Sequence, residues 1–83
     1  MTRDDVLAVV RRHTLEVLID VDPAEFDANR SLREVGAKSL DVLEIVSSSM
    51  KSLKIKVPRP ELVDVQTVNQ LVDVFYAHVQ KRA

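Results

Sequence analysis

Apolar residues recur at three- and four-residue intervals in three long stretches, and the prolines and the glycine fall outside the helical repeats. In the first stretch Val6, Leu7, Val10, Thr14, Val17 and Leu18 share one face, which predicts a helix from about Asp4 to Ile19. Asp4 and Asp5 suit its positive start, and Asp20, Asp22 and Pro23 stop it. Residues 20 to 38 then read as a long connection, along which Phe26, Leu32 and Val35 are spaced irregularly and are expected to pin the loop to the core. Gly36, the only glycine, permits a sharp turn three residues before Ser39.

The second helix is predicted from about Ser39 to Leu53, before the extended-looking Lys54-Ile55-Lys56-Val57-Pro58. A short helix from Pro60 to Val63 would place Pro60 at its first position. The last helix begins at Thr67, where Thr67 and Gln70 match a capping box. Val68, Leu71, Val72, Phe75 and Val79 form its buried stripe, and Lys81 and Arg82 suit its C-terminal end. The expected fold is all-α, a small four-helix bundle of three main helices and one short one.

At about 100° per residue the second helix is apolar on two sides. Val42, Ile45, Val46, Ser49 and Leu53 cluster on one, and Leu40, Leu43, Ser47 and Met50 on the next. A bundle helix normally needs one such stripe. The second is either a partner surface or a second buried face.

Composition narrows the function. With 83 residues the chain forms one domain, residues 1–83, with a small core. Hydrophobic residues make up 46% of it, but Phe26, Phe75 and Tyr76 are the only aromatics, so the core is aliphatic. There is no cysteine, hence neither a disulfide frame nor a cysteine metal site. No apolar run approaches the roughly 20 residues of a membrane span, and nothing at the N-terminus resembles a signal peptide. A cytoplasmic monomer off the membrane is the default expectation. Twelve basic and thirteen acidic residues are interspersed, for a net charge of −1, which leaves no nucleic-acid footprint. His13 and His78 stand alone on separate helices, and Ser39 lacks the Gly-x-Ser-x-Gly elbow, so neither a catalytic nor a metal site is expected.

Ser39 lies where the loop meets the second helix. There it is either a plain helix N-cap or the carrier of a phosphate ester, which unpaired N–H groups at a helix start would favour. The wider pattern bears on this choice. Leu32-Arg33-Glu34-Val35-Gly36-Ala37-Lys38-Ser39-Leu40-Asp41 resembles the acyl carrier protein signature of Leu/Val-Gly followed by Asp/Asn-Ser-Leu-Asp. Leu43-Glu44-Ile45-Val46, Ile55-Lys56-Val57-Pro58 and Val65-Gln66-Thr67-Val68 resemble later parts of the same family, so the likeness spans nearly the whole chain. It implies that a phosphopantetheinyl transferase moves 4'-phosphopantetheine from coenzyme A onto Ser39. The domain then presents acyl thioesters to enzymes through the second helix and the preceding loop. The implied recognition residues are Lys38, Leu40, Asp41, Leu43, Glu44, Met50 and Lys51.

Family members of fatty acid synthesis are usually more acidic. Here Lys38 replaces the usual Asp, and Met50 and Lys51 stand where acids are common. Lys38 either pairs with the phosphodiester or is a solvated lysine. The run from Leu32 to Pro58, together with Val68 to Phe75, most resembles the free-standing donor carriers of polyketide β-branching. Such carriers deliver an acetyl-type group to a 3-hydroxy-3-methylglutaryl (HMG) synthase-like enzyme, and a ketosynthase or decarboxylase and an acyltransferase are the other implied partners. Lys38 in place of Asn and Leu40 in place of Ile depart from that subgroup. A carrier of another polyketide, fatty acid or nonribosomal peptide pathway is the nearest alternative. A helical adaptor without a prosthetic group is the alternative of a different class.

Overall fold

Side chains that cap their own backbones set where the chain turns helical. The computed structural model describes residues 1–82. Thr2 Oγ1 accepts from the Asp5 N–H at 3.2 Å, and the Asp5 carboxylate accepts from the Thr2 N–H at 2.8 Å. Helix α1, Arg3–Val17, follows. Ser31 and Glu34 exchange a similar pair of bonds, both 3.1 Å, ahead of α2, Leu32–Val35. Thr67 and Gln70 do so at 3.2 and 3.1 Å ahead of α4, Val68–Lys81. Each pair satisfies backbone donors that a helix start leaves open. Helix α3, Ser39–Leu53, differs because the residue before it is Lys38, whose side chain cannot accept a bond. Only the return bond is made there, from the Lys38 N–H to the Asp41 carboxylate at 3.0 Å.

The architecture is all-α, as the periodicity predicts. Helix α1 packs against both α3 and α4. Val6 and Val10 from α1, Ile45 and Leu53 from α3, and Val68, Val72 and Phe75 from α4 are fully buried. Each such side chain contributes about 1.5–3 kcal/mol relative to exposure. Thr14 is buried with them, and its hydroxyl donates to the Val10 carbonyl at 2.7 Å, which removes most of the cost of a polar group there.

Local details depart from the sequence reading. Helix α1 stops at Val17, two residues early, because Leu18 leaves the helical region at φ −97°, ψ 72°. The break turns Leu18 into the core and leaves Ile19 82% exposed. The 20–38 connection is not structureless: it holds a 3₁₀ turn at Pro23–Glu25 and the whole of α2. The short helix after α3 is a 3₁₀ turn at Arg59–Leu62, so Pro60 is its second residue. Between them Lys54 adopts a left-handed conformation, φ 55°, and the Ile55 N–H reaches the Met50 carbonyl at 3.1 Å. Ile55 and Val57 then point inward while Lys54 and Lys56 are exposed.

Phe26, Leu32 and Val35 pack on the core, as their apolar character predicts. The backbone ties the loop as well. The Arg30 carbonyl accepts from the Val68 N–H and the Ala28 carbonyl from the Asn69 N–H, both at 2.9 Å. The long connection thus caps the first turn of α4, and α2 packs against α3. Among the described residues no helix is long and apolar enough to cross a membrane.

Candidate functional site

The site is built where α2 ends and α3 begins. Buried Leu32 anchors α2, and Gly36 closes it with its N–H bonded to the Leu32 and Arg33 carbonyls at 3.2 and 3.0 Å. Gly36 has φ 126°, which L side chains rarely adopt, so glycine is required for its backbone. Ala37 is buried just beyond, and Lys38 adopts extended backbone, φ −88° and ψ 173°, before the chain enters α3.

Ser39 is therefore the first helical residue, and Lys38 holds the cap position. This corrects the plain N-cap reading of Ser39, since its hydroxyl caps no N–H of α3. The Ser39 side chain is exposed, and its Oγ accepts from an Arg33 guanidinium N–H at 3.2 Å. Asp41, the nearest acid in sequence, is engaged on the Lys38 N–H. Among the described residues no carboxylate ion-pairs with Arg33 or Lys38. An exposed hydroxyl beside an unpaired guanidinium fits a phosphodiester, which needs an accessible oxygen and is favoured by a nearby charged donor.

A cleft of about 590 Å³ opens alongside. Leu32 of α2, Val42 and Val46 of α3, Leu62 of the second 3₁₀ turn, and Val65 and Leu71 give it an apolar wall, with Arg33 and Glu34 also among the residues that line it. Arg33 thus borders the cleft and touches Ser39 as well.

The expected recognition residues differ in exposure. Leu40 is 80% exposed and Leu43 57% exposed. Lys38, Glu44 and Lys51 are exposed, and Asp41 is half-buried. Met50, expected on the same apolar face, is half-buried against the core instead. The chain reverses at Lys54, and the Ile55 N–H bonds back to Met50 at that end of α3. Val46, expected inside, is half-buried at the cleft wall.

The histidines have partners that their sequence positions do not reveal. His13 Nε2 lies 2.7 Å from the Ser52 hydroxyl, linking α1 to α3. His78 Nε2 lies 2.9 Å from the Glu61 carboxylate, linking α4 to the second 3₁₀ turn. Arg33 was also missed as a site residue. The Ser31-x-x-Glu34 capping signal was readable and would have revealed α2, but the direction of Arg33 depends on the turn at Gly36.

Three comparisons with known proteins bear on this geometry. A family model described as the phosphopantetheine attachment site matches residues 12–75. The polyketide biosynthesis acyl-carrier-protein AcpK of Bacillus subtilis (strain 168) is 34% identical over 80 residues, which cover 96% of this chain and 98% of that protein. The reducing polyketide synthase Preu2 of Preussia isomera is 34% identical over 67 residues, which cover 81% of this chain and 3% of that much longer protein. One chain in the crystal structure of the curacin biosynthetic pathway HMG synthase in complex with acetyl donor-ACP superposes with a TM-score of 0.82 at 27% identity. That match covers 93% of this chain and 99% of the other. With a family match across most of its length and a full-length relative, the chain belongs to the phosphopantetheine-attachment family, among its acyl carrier proteins.

Proposed function

We propose that the chain is the donor acyl carrier protein of a polyketide β-branching system, with 4'-phosphopantetheine attached at Ser39. The observation that carries the attachment site is the exposed Ser39 hydroxyl at the start of α3, bonded to a guanidinium without a carboxylate partner. The group supplies, when bound, a thiol on a long arm that holds acyl groups as thioesters. A phosphopantetheinyl transferase acting with coenzyme A attaches it. The near-complete structural likeness to a chain of an HMG synthase–donor-ACP complex supports the donor role.

The residues of this chain present and shelter; they break no substrate bond. Ser39 Oγ provides the anchor. The wall of Leu32, Val46 and Leu71 can receive a short acyl chain out of water. Leu40 and Leu43 form the apolar part of the docking face, and Asp41 and Glu44 pair with basic groups at a partner's edge. Exposed Lys38 and Lys51 disfavour partners with strongly basic docking sites by like-charge repulsion. His13 and His78 act as struts between elements, through Ser52 and Glu61. The partners in this reading are an HMG-synthase-like enzyme, a ketosynthase or decarboxylase, and an acyltransferase, met by a monomer in the cytoplasm.

Acetyl transfer tests the donor role. The carrier is loaded from acetyl-coenzyme A by a promiscuous transferase, then mixed at low salt with an HMG-synthase-like enzyme or with a fatty-acid ketosynthase. Intact mass should show loss of acetyl from the carrier with the first enzyme. Loss only with the ketosynthase would assign the chain to another pathway.

A further inference from the structure

Arg33 is the feature of the site that neither the family resemblance nor the sequence pattern assigns. Its position is fixed on both sides. Ser31 caps α2 and takes up Glu34, whose carboxylate accepts the Ser31 N–H at 3.1 Å. Gly36 then closes the turn on the Arg33 carbonyl at 3.0 Å, while Leu32 next door is buried. The side chain of Arg33 therefore leaves a short, anchored helix and ends on the Ser39 hydroxyl at 3.2 Å. That is its only side-chain hydrogen bond among the described residues. Arg3, Arg12 and Arg30 are by contrast paired with Asp73, Glu16 and Asp27.

A hydroxyl uses one guanidinium N–H and leaves the rest of the planar fork unoccupied. A singly charged diester on the same oxygen would bring two further acceptor oxygens and a full charge, matching the fork. Lys38 is the competing cation, but it is exposed and its side chain makes no hydrogen bond among the described residues. Its backbone alone holds the turn, through Asp41.

We propose that Arg33 is the counter-ion of the phosphodiester at Ser39, a positioning residue that turns the base of the arm toward the cleft it borders. The proposal rests on attachment at Ser39. Because Ser39 and Arg33 are exposed, the pairing is salt-sensitive.

The test uses full-length holo-protein, with attachment at Ser39 first verified by intact mass and peptide mapping. Wild type, R33Q, R33K and K38Q are compared by phosphorus NMR, by the Arg33 Nε–H resonance, and by relaxation of the arm protons nearest the phosphate. Conversion from apo to holo should shift the Arg33 Nε–H signal. R33Q should lose the wild-type phosphorus shift and show faster arm motion, R33K should recover part of both, and K38Q should match wild type. High salt should move wild type toward R33Q. An R33Q holo-protein with wild-type phosphorus shift and arm relaxation would overturn the proposal, as would the change appearing in K38Q instead. If R33Q cannot be loaded, the salt series on wild type decides: a phosphorus shift and an Arg33 signal that ignore salt overturn it. Failure of wild type to load at Ser39 is read separately, from the mass, and would remove the attachment reading itself.

Discussion

Replacing Ser49 with alanine should make the protein more stable. Ser49 lies in α3 and is wholly buried, and its hydroxyl has no hydrogen-bond partner among the described residues. An unpaired buried hydroxyl costs about 1–3 kcal/mol. Alanine removes it and adds about 0.5 kcal/mol of helix propensity. Against this stands the void left by one oxygen. At about 24 cal/mol per Å³, a void of roughly 15 Å³ costs about 0.4 kcal/mol. The net gain is about 1–2 kcal/mol, taking the lower half of the desolvation range. For a domain of this size 1 kcal/mol moves Tm by about 4–8 °C, so Ser49→Ala should melt roughly 5–15 °C higher. The assay is thermal unfolding followed by far-UV circular dichroism, with a urea series to check that the m-value is unchanged. An equal or lower Tm would refute the reasoning. It would mean that the hydroxyl is satisfied in solution, by a buried water or by the Ile45 carbonyl one turn back.

Gly36→Ala should destabilise by about 1–2 kcal/mol through its backbone conformation alone. The added Cβ would meet Val21 Cγ2 at an ordinary 3.6 Å, so a loss much above that range in urea unfolding would point to steric conflict instead. Phe75→Asp should unfold the domain, because it places an unpaired carboxylate at a fully buried position; a wild-type melting curve would refute the core assignment. The Thr2 N–H, and after it the Thr2 side chain, hold the Asp5 carboxyl below its ordinary value. A lowered folded-state pKa adds stability that is fully present above the unfolded value and lost as pH falls through the folded one. The first turn of α1 should therefore fray in acid. NMR titration should show Asp5 protonating below an ordinary aspartate, and Asp5→Asn should flatten the acid dependence of the α1 amide signals.

How legible each part was followed the range of the forces that set it. Helices α3 and α4 were readable because their apolar stripes and, for α4, the Thr67–Gln70 cap are local signals. Helix α2 has four residues, too few for any periodicity to register, although its Ser31-x-x-Glu34 cap was present in plain sequence. The end of α1 was misjudged by two residues because Ile19 continues the apolar pattern yet faces solvent. Leu40 and Met50 share a helix face in projection, but Leu40 is exposed and Met50 is half-buried against the core, a difference that the helical repeat does not encode. The Arg33–Ser39 contact spans two helices and a positive-φ turn. No short-range signal encodes it, and it is Arg33, not the adjacent Lys38, whose side chain reaches the Ser39 hydroxyl.

The central claim is that Ser39 carries the prosthetic group, and intact mass tests it most directly. Wild type and Ser39→Ala are incubated with coenzyme A and a promiscuous phosphopantetheinyl transferase. Wild type should gain the mass of one phosphopantetheinyl group, and the variant should gain none. The variant should keep its helical circular dichroism, because the Ser39 hydroxyl caps no backbone N–H and its bond to Arg33 is exposed. An unmodified wild type, or a Ser39→Ala chain modified at Ser31, Ser47, Ser48 or Ser49, would contradict the account.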